Sequence, residues 1–266
     1  MAGAPPPVPP AYRHLPWFYA ALSVCFALWL HSGACLGGRA LLLWLDGLPG
    51  RYKGLALGLS LFLAAMAPWH LYGAAQHWMD RSGNGWWKQY KLSKGRVPDR
   101  LSYSAMLPCV LRNQIGLFLP VCLFLCLPAE GGDGGGGRWG VRSKGPPPLA
   151  WELCLHMLGL YACYEVVFYC GHRAMHWPCL YKYHKAHHQT YGSVGISGQY
   201  ASLLDFSLMQ FAPVLLGAAL LNSHVAPVWL FSILGSLNSI HSHGGYASNA
   251  HSLARLRLST NEWMDG

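Results

Sequence analysis

Apolar residues along this chain come in blocks rather than in the alternating or amphipathic patterns of a soluble domain. Residues 16–37, 54–75, 104–128 and 149–170 are each nearly free of charge. Each block reaches or exceeds the roughly 20 residues that a helix needs to cross a hydrocarbon layer. Residues 206–240 form a fifth block, too long for one span and interrupted by Asn222, Ser223, His224 and Pro227. That interruption predicts a helical hairpin of two short or tilted halves that brings the chain back to the side it entered from. The pattern predicts an all-α, multi-span membrane bundle, with no run of alternation that would suggest a barrel.

Composition sharpens this reading. Over the 266 residues, 53% are hydrophobic and only 11% charged, which is far from the balance of a soluble domain. The net charge of +9 would fit a polyanion-binding protein, but its placement argues otherwise. Arg81, Lys88, Lys91, Lys94, Arg96 and Arg100 share one loop, and under the positive-inside rule that loop faces the cytosol. Two further spans return the chain to the same face, so nucleic acid is not an expected partner. The aromatic and basic residues interleaved over 76–103 predict a segment lying flat at headgroup depth. A functional variant of that reading has Lys88, Lys91 and Lys94 contacting a redox partner.

Nine cysteines fall mostly within or beside the apolar blocks and form no CxxC pair, so reduced, packed thiols are expected rather than disulfides or a thiolate zinc site. The proline-rich residues 1–15 read as a disordered tail. Residues 16–34 lack the basic lead of a signal peptide and read as a retained span. The glycine-rich stretch 131–137 and Pro146–Pro148 bracket a low-complexity turn.

The chemistry sits just past the fourth block. His172 and His176 are followed by His184, His187 and His188, five imidazoles within seventeen residues. Side chains three and four apart share a helix face. His172 and His176 are therefore expected to point one way, and His184, His187 and His188 to form a second inward-facing trio. Neutral imidazoles are gathered most readily by a cation. Five exceed the need of one tetrahedral zinc, and two redox-active irons suit the number better. His14, His31, His70, His77, His156 and His224 stand alone and read as packing or surface residues.

The run Glu165 to His176, continuing through Tyr183-His184-Lys185-Ala186-His187-His188, resembles the core of the sterol desaturase and fatty acid hydroxylase superfamily. Gln89-Tyr90-Lys91-Leu92, Asn113-Gln114, Gln199-Tyr200-Ala201 and Ser239 to Tyr246 extend the resemblance over residues 76–246. It implies a domain division into amino-terminal spans (16–75), a hydroxylase-like membrane domain (76–246) and an atypical tail (247–266). It further implies a multi-pass monooxygenase of the endoplasmic reticulum membrane, with its histidines on the cytosolic side. Such an enzyme would oxidise a sterol or fatty acyl lipid at two non-haem irons. Electrons would come from NAD(P)H through a reductase and a small haem cytochrome.

The implied metal ligands are His172, His176, His184, His187 and His188, joined by His241 and His243, with no catalytic side chain beyond them. Asp205 and Tyr246 are the implied supports for ligand imidazoles. Asp205 alternatively serves as a carboxylate at a helix amino terminus. Two departures stand out. The family's third HxxHH cluster is missing after Tyr246, where the chain offers only His251, so the ending reads as a truncated or alternatively read tail. Ser202 and Asp205 occupy positions where many relatives carry histidine and glutamate, which leaves the substrate open. A non-catalytic lipid-binding or regulatory relative is the first alternative. A membrane metal transporter is the second, although transporters place such groups inside their spans rather than beyond one.

Overall fold

A computed structural model describes residues 15–32, 38–83, 91, 101–127, 141–190 and 194–246. The helices are α1 (Leu15–His31), α2 (Gly38–Gly47), α3 (Gly50–Arg81), α4 (Tyr103–Cys126), α5 (Ala150–Met175), α6 (Tyr181–His184), α7 (Leu203–Leu220) and α8 (Val225–His243). Helices α3, α4, α5 and α7 are long and apolar enough to cross a membrane. Among the described residues there is no strand, only the isolated bridges Lys91–Tyr246 and Arg142–His224. The protein is an all-α, multi-pass membrane protein.

Helix α8 is the axis of the bundle. It packs on α3, α5 and α1, and its first seven residues, Val225 to Phe231, are all buried. A helix apolar around its whole circumference has no polar face to turn outward and so takes the centre. Helix α5 is the opposite case. Trp151, Leu155, Leu158, Tyr161, Val166 and Tyr169 are exposed along it, a surface that suits lipid rather than water. Where α3 meets α4 the backbones nearly touch, and a Cβ added to Gly58 would lie 2.7 Å from the Cys122 carbonyl oxygen. Small residues at such crossings let membrane helices approach closely.

The interrupted fifth block folds as expected into two helices. The break falls at 221–224, where Asn222 takes a left-handed φ of 44° and the His224 Nδ1 caps α8 by accepting from the Ala226 amide, 3.2 Å away. Both halves are full-length, 18 and 19 residues, rather than short. Residues 76–81 depart from expectation. They extend α3 instead of leaving it, because Gln76 is buried and Asp80 accepts hydrogen bonds from Tyr246 Oη and Lys91 Nζ, both at 2.6 Å. Polar partners at the end of the span make continuation of the helix cheaper than a turn along the interface. Residues 84–90 and 92–100 of the expected interfacial segment, the glycine-rich turn, the first fourteen residues and the tail after Tyr246 lie outside the described residues.

Two poles result. The ends of α3, α5 and α8 and the starts of α4 and α7 meet at one pole, which carries the paired histidines. At the far pole, Arg142 pairs with the 223–225 turn (Arg142 N to Ser223 O, 2.9 Å; Val225 N to Arg142 O, 2.7 Å) and His31 reaches the Pro148 carbonyl at 3.1 Å.

Candidate metal centre

Helix α5 runs past the bulk of the bundle and delivers His172 and His176 on one face of its last turns. The chain then turns at 176–180 and re-forms a single helical turn, α6, which ends on His184. Residues 187–189 tighten into a 3₁₀ turn. The expected trio is split. His184 and His188 face His172 and His176, whereas His187 turns toward His243 on α8, with ring centroids 5.4 Å apart. Neighbouring positions on a helical turn point about 100° apart, so His187 and His188 cannot both face the same rings.

The four converging rings present Nε2 atoms to one another. Separations are 3.1 Å for His172–His176, 3.3 Å for His172–His184 and 2.9 Å for His184–His188. One nitrogen from each of the four residues lies within 4.8 Å of the other three. Nitrogens bound about 2 Å from a common ion stand roughly 3 Å from one another, so the spacing suits a metal. Asp205 at the start of α7 strengthens the case. It is buried, its amide is capped by Ser202 Oγ at 3.2 Å, and its Oδ2 accepts from His184 Nδ1 at 2.8 Å. With that proton on Nδ1, His184 turns an unprotonated Nε2 to the cluster, the form that binds a cation. Asp205 thus fills both roles considered for it from sequence, helix amino terminus and imidazole partner.

His187 lies 5.6 Å from His184 and 5.7 Å from His188 by ring centroids. Burial, with the nearby His243, His184 and His188 rings, holds its basicity well below the usual imidazole range, so the ring is neutral. His243 Nδ1 donates to the Ser239 carbonyl at 2.9 Å, which leaves its Nε2 unprotonated. His241 is buried on another face of α8, with Nδ1 2.9 Å from Tyr72 Oη. Tyr246 is buried, and its Oη donates to Asp80 Oδ1 at 2.6 Å.

The histidines set apart in the sequence take packing partners: His70 on Gln114, His77 stacked on Tyr103, His156 on Ser223 and His31 on Pro148. Lys91 pairs with Asp80 and lies 4.4 Å over the Tyr246 ring. Lys88 and Lys94 are outside the described residues.

Sequence reasoning missed what lies under the histidines. A cavity of about 110 Å³ follows α8 from Val228 to Ser239. Its lining along α8 spans eleven residue steps, roughly 16 Å at 1.5 Å per residue. Leu61, Cys122, Val141 and Val228 line it toward the far pole, Phe118, Phe206 and Phe211 form an aromatic wall, and Gln199, Gln210 and Ser239 stand at the histidine end. Two π-helical turns, 114–118 in α4 and 207–211 in α7, supply Phe118, Gln210 and Phe211. Such widened turns recur at functional sites. The signal visible in sequence was Gln199 and Gln210, polar residues beside apolar helices.

The fold and the site together define a membrane protein that gathers imidazoles at the end of a span, above an apolar cavity. Residues 157–263 match the fatty acid hydroxylase family model. Over that segment the chain is similar to the sterol desaturase and fatty acid hydroxylase superfamily. It is 32% identical over 108 residues to a very-long-chain aldehyde decarbonylase, GL1-11, of Oryza sativa, a match covering 40% of each chain. Methylsterol monooxygenase erg25B of Aspergillus fumigatus is 26% identical over 187 residues, covering 66% of this chain and 58% of the relative. Fatty acid hydroxylase ahd1 of Mycosarcoma maydis is 27% identical over 170 residues, covering 63% of this chain and 43% of that one. The chain thus spans between 40% and 58% of the length of these relatives. No solved structure matches.

Proposed function

We propose that this protein is a non-haem di-iron oxygenase acting on a sterol or fatty acyl lipid. The observation that carries the reading is the convergence of the His172, His176, His184 and His188 nitrogens around one point. With its Nδ1–H on Asp205, His184 turns a lone pair toward the other three rings, and a cation is the group that can bind one nitrogen from each of the four at once. His187 and His243 would serve a second ion, whereas His241, on another face of α8, would not share it.

Iron held there supplies dioxygen activation and the oxidation of an unactivated C–H bond. The chain's own residues do the rest. Asp205 holds the His184 proton on Nδ1. His172 and His184, buried, keep water from the inner side of the cluster, and Phe168 packs against the His172 ring at 5.5 Å. The cavity presents an apolar molecule from within the membrane, and its aromatic wall ends at Phe206, next in sequence to Asp205.

The basic residues between α3 and α4 support a cytosolic histidine pole. The family likeness supports residence in the endoplasmic reticulum, with electrons delivered by a small haem cytochrome and an NAD(P)H-dependent reductase. Iron analysis of the full chain purified in detergent tests the proposal, and about two irons per chain are expected. Membranes expressing the chain, fed sterols and fatty acids, should yield an oxidised product that the His187→Ala form does not make. One or no iron, or equal product from both forms, would overturn it.

A further inference from the structure

Gln199 closes the 3₁₀ turn Gly195–Gln199 and is 4% exposed, yet half of its side-chain amide is unused. A relay of three side chains sets its orientation. His70 Nε2–H donates to Gln114 Oε1 at 2.7 Å, and Gln114 Nε2 donates to Gln199 Oε1 at 2.6 Å. With its oxygen so occupied, Gln199 presents its NH₂ group to the cavity it lines. No group among the described residues accepts from that nitrogen. The backbone is held as firmly, because Asn113 Nδ2 donates to the Gln199 carbonyl at 3.2 Å.

Its place along the cavity gives the donor meaning. The preceding residue, Gly198, lies so close to α8 that an added Cβ would come within 2.9 Å of His243 Nδ1 and 2.8 Å of Ser239 Oγ. Gln210 Nε2 donates to the Gly198 carbonyl at 3.1 Å, which ties the same turn to α7. The donor therefore sits at the histidine end of a shaft whose other end is lined by Leu61, Cys122 and Val228. The Gln199 N–H therefore faces the cavity without a protein acceptor among the described residues, and a ligand oxygen would supply one.

We propose that Gln199 is a specificity-determining residue, whose Nε2–H holds a terminal acceptor oxygen of an otherwise aliphatic ligand at the histidine end of the cavity. The ligand's apolar body extends down the shaft toward Val228. A fatty alcohol or acyl chain and a hydroxysterol share this chemistry. Because the oxygen anchors beside the histidines, a carbon near the polar end, not the far end of the tail, lies nearest the metal site. This last consequence rests on the oxygenase reading, whereas binding does not.

The test uses the full chain in phosphatidylcholine nanodiscs, without added metal, labelled by a hexadecanol that carries a mid-chain diazirine. Adducts are expected at Phe118, Phe211 or Val214. Unlabelled hexadecanol should compete about tenfold better than hexadecane, the upper end of what one hydrogen bond contributes. 2-Hexadecanone, which accepts but cannot donate, should match hexadecanol. Cholesterol measured against cholestene gives the same comparison for a sterol, and the larger of the two preferences identifies the source. In Gln199→Met the preference should fall to about one while hexadecane competes as before. A ketone no better than hexadecane, a preference intact in Gln199→Met, or adducts outside the cavity would overturn the proposal. The ketone comparison needs no variant and so holds even if Gln199→Met does not fold. Loss of iron or of product would count against the oxygenase reading without touching these binding results.

Discussion

The two poles of this bundle use the same side chain to opposite ends. At the far pole His156 accepts from or donates to Ser223 Oγ at 3.0 Å, His31 reaches a carbonyl, Arg142 Nε donates to the Asn222 carbonyl at 2.9 Å, and buried Lys53 pairs with Asp46 at 2.5 Å. Each of these groups meets a complementary one, although the buried His224 Nε2 beside them has no hydrogen-bond partner among the described residues. At the other pole four histidines meet chiefly each other, with Asp205 reaching one of them from behind. A buried polar group is satisfied by a partner of opposite character, whereas groups of like character brought together mark a place for something from outside. Burial alone does not separate the poles, since His172 and His224 are both buried.

Substitutions at either pole should therefore report in different measurements, and the largest effect belongs to the cluster. His184→Ala removes the one imidazole in contact with both Asp205 and two other rings, and bound iron should fall below about a tenth of the parent level. Elemental analysis of purified protein checks this, and unchanged iron would dissolve the distinction between the poles. Asp205→Asn keeps the shape but weakens the hold on the His184 tautomer. Iron affinity should drop about 10–100-fold, measured by chelator competition.

The far pole should respond in stability instead. Asp46→Ala leaves Lys53 buried without its anion and should cost about 2 kcal/mol, less than a fully buried pair because the Asp46 side chain is 31% exposed. Thermal unfolding in detergent would show it, with iron content unaltered. His156→Ala, the mildest change, should cost about 1 kcal/mol for its hydrogen bond to Ser223 and again spare the iron. Iron lost from either far-pole variant would show that the poles are coupled.

Much of the cluster was legible because it is local. His172 and His176 lie four apart on one helix, as do His184 and His188 across a turn, and helical geometry brings such pairs together wherever they occur. His187 was not separable from its neighbours by spacing, because three and four residues after His184 both fall near its face, and only the packing of α8 shows that His187 meets His243. Tyr246 was assigned to the imidazoles by resemblance, yet it lies on Asp80, 166 residues away in sequence. The relay from His70 through Gln114 to Gln199 joins three elements that periodicity treats as unrelated.

By itself, then, the sequence determined the spanning helices α3, α4, α5 and α7, the break at 221–224 and the pairing of histidines four apart, because these follow from hydropathy and backbone geometry over a few turns. The first block, expected as a span over 16–37, instead ends its helix at His31 after 17 residues. The tertiary structure alone decided which imidazoles share a centre, that Asp205 reaches His184, and that a shaft with a lone amide donor runs beneath them. Those depend on helices α3, α4, α7 and α8 being packed side by side, and packing is a property of surfaces brought together from distant parts of the chain.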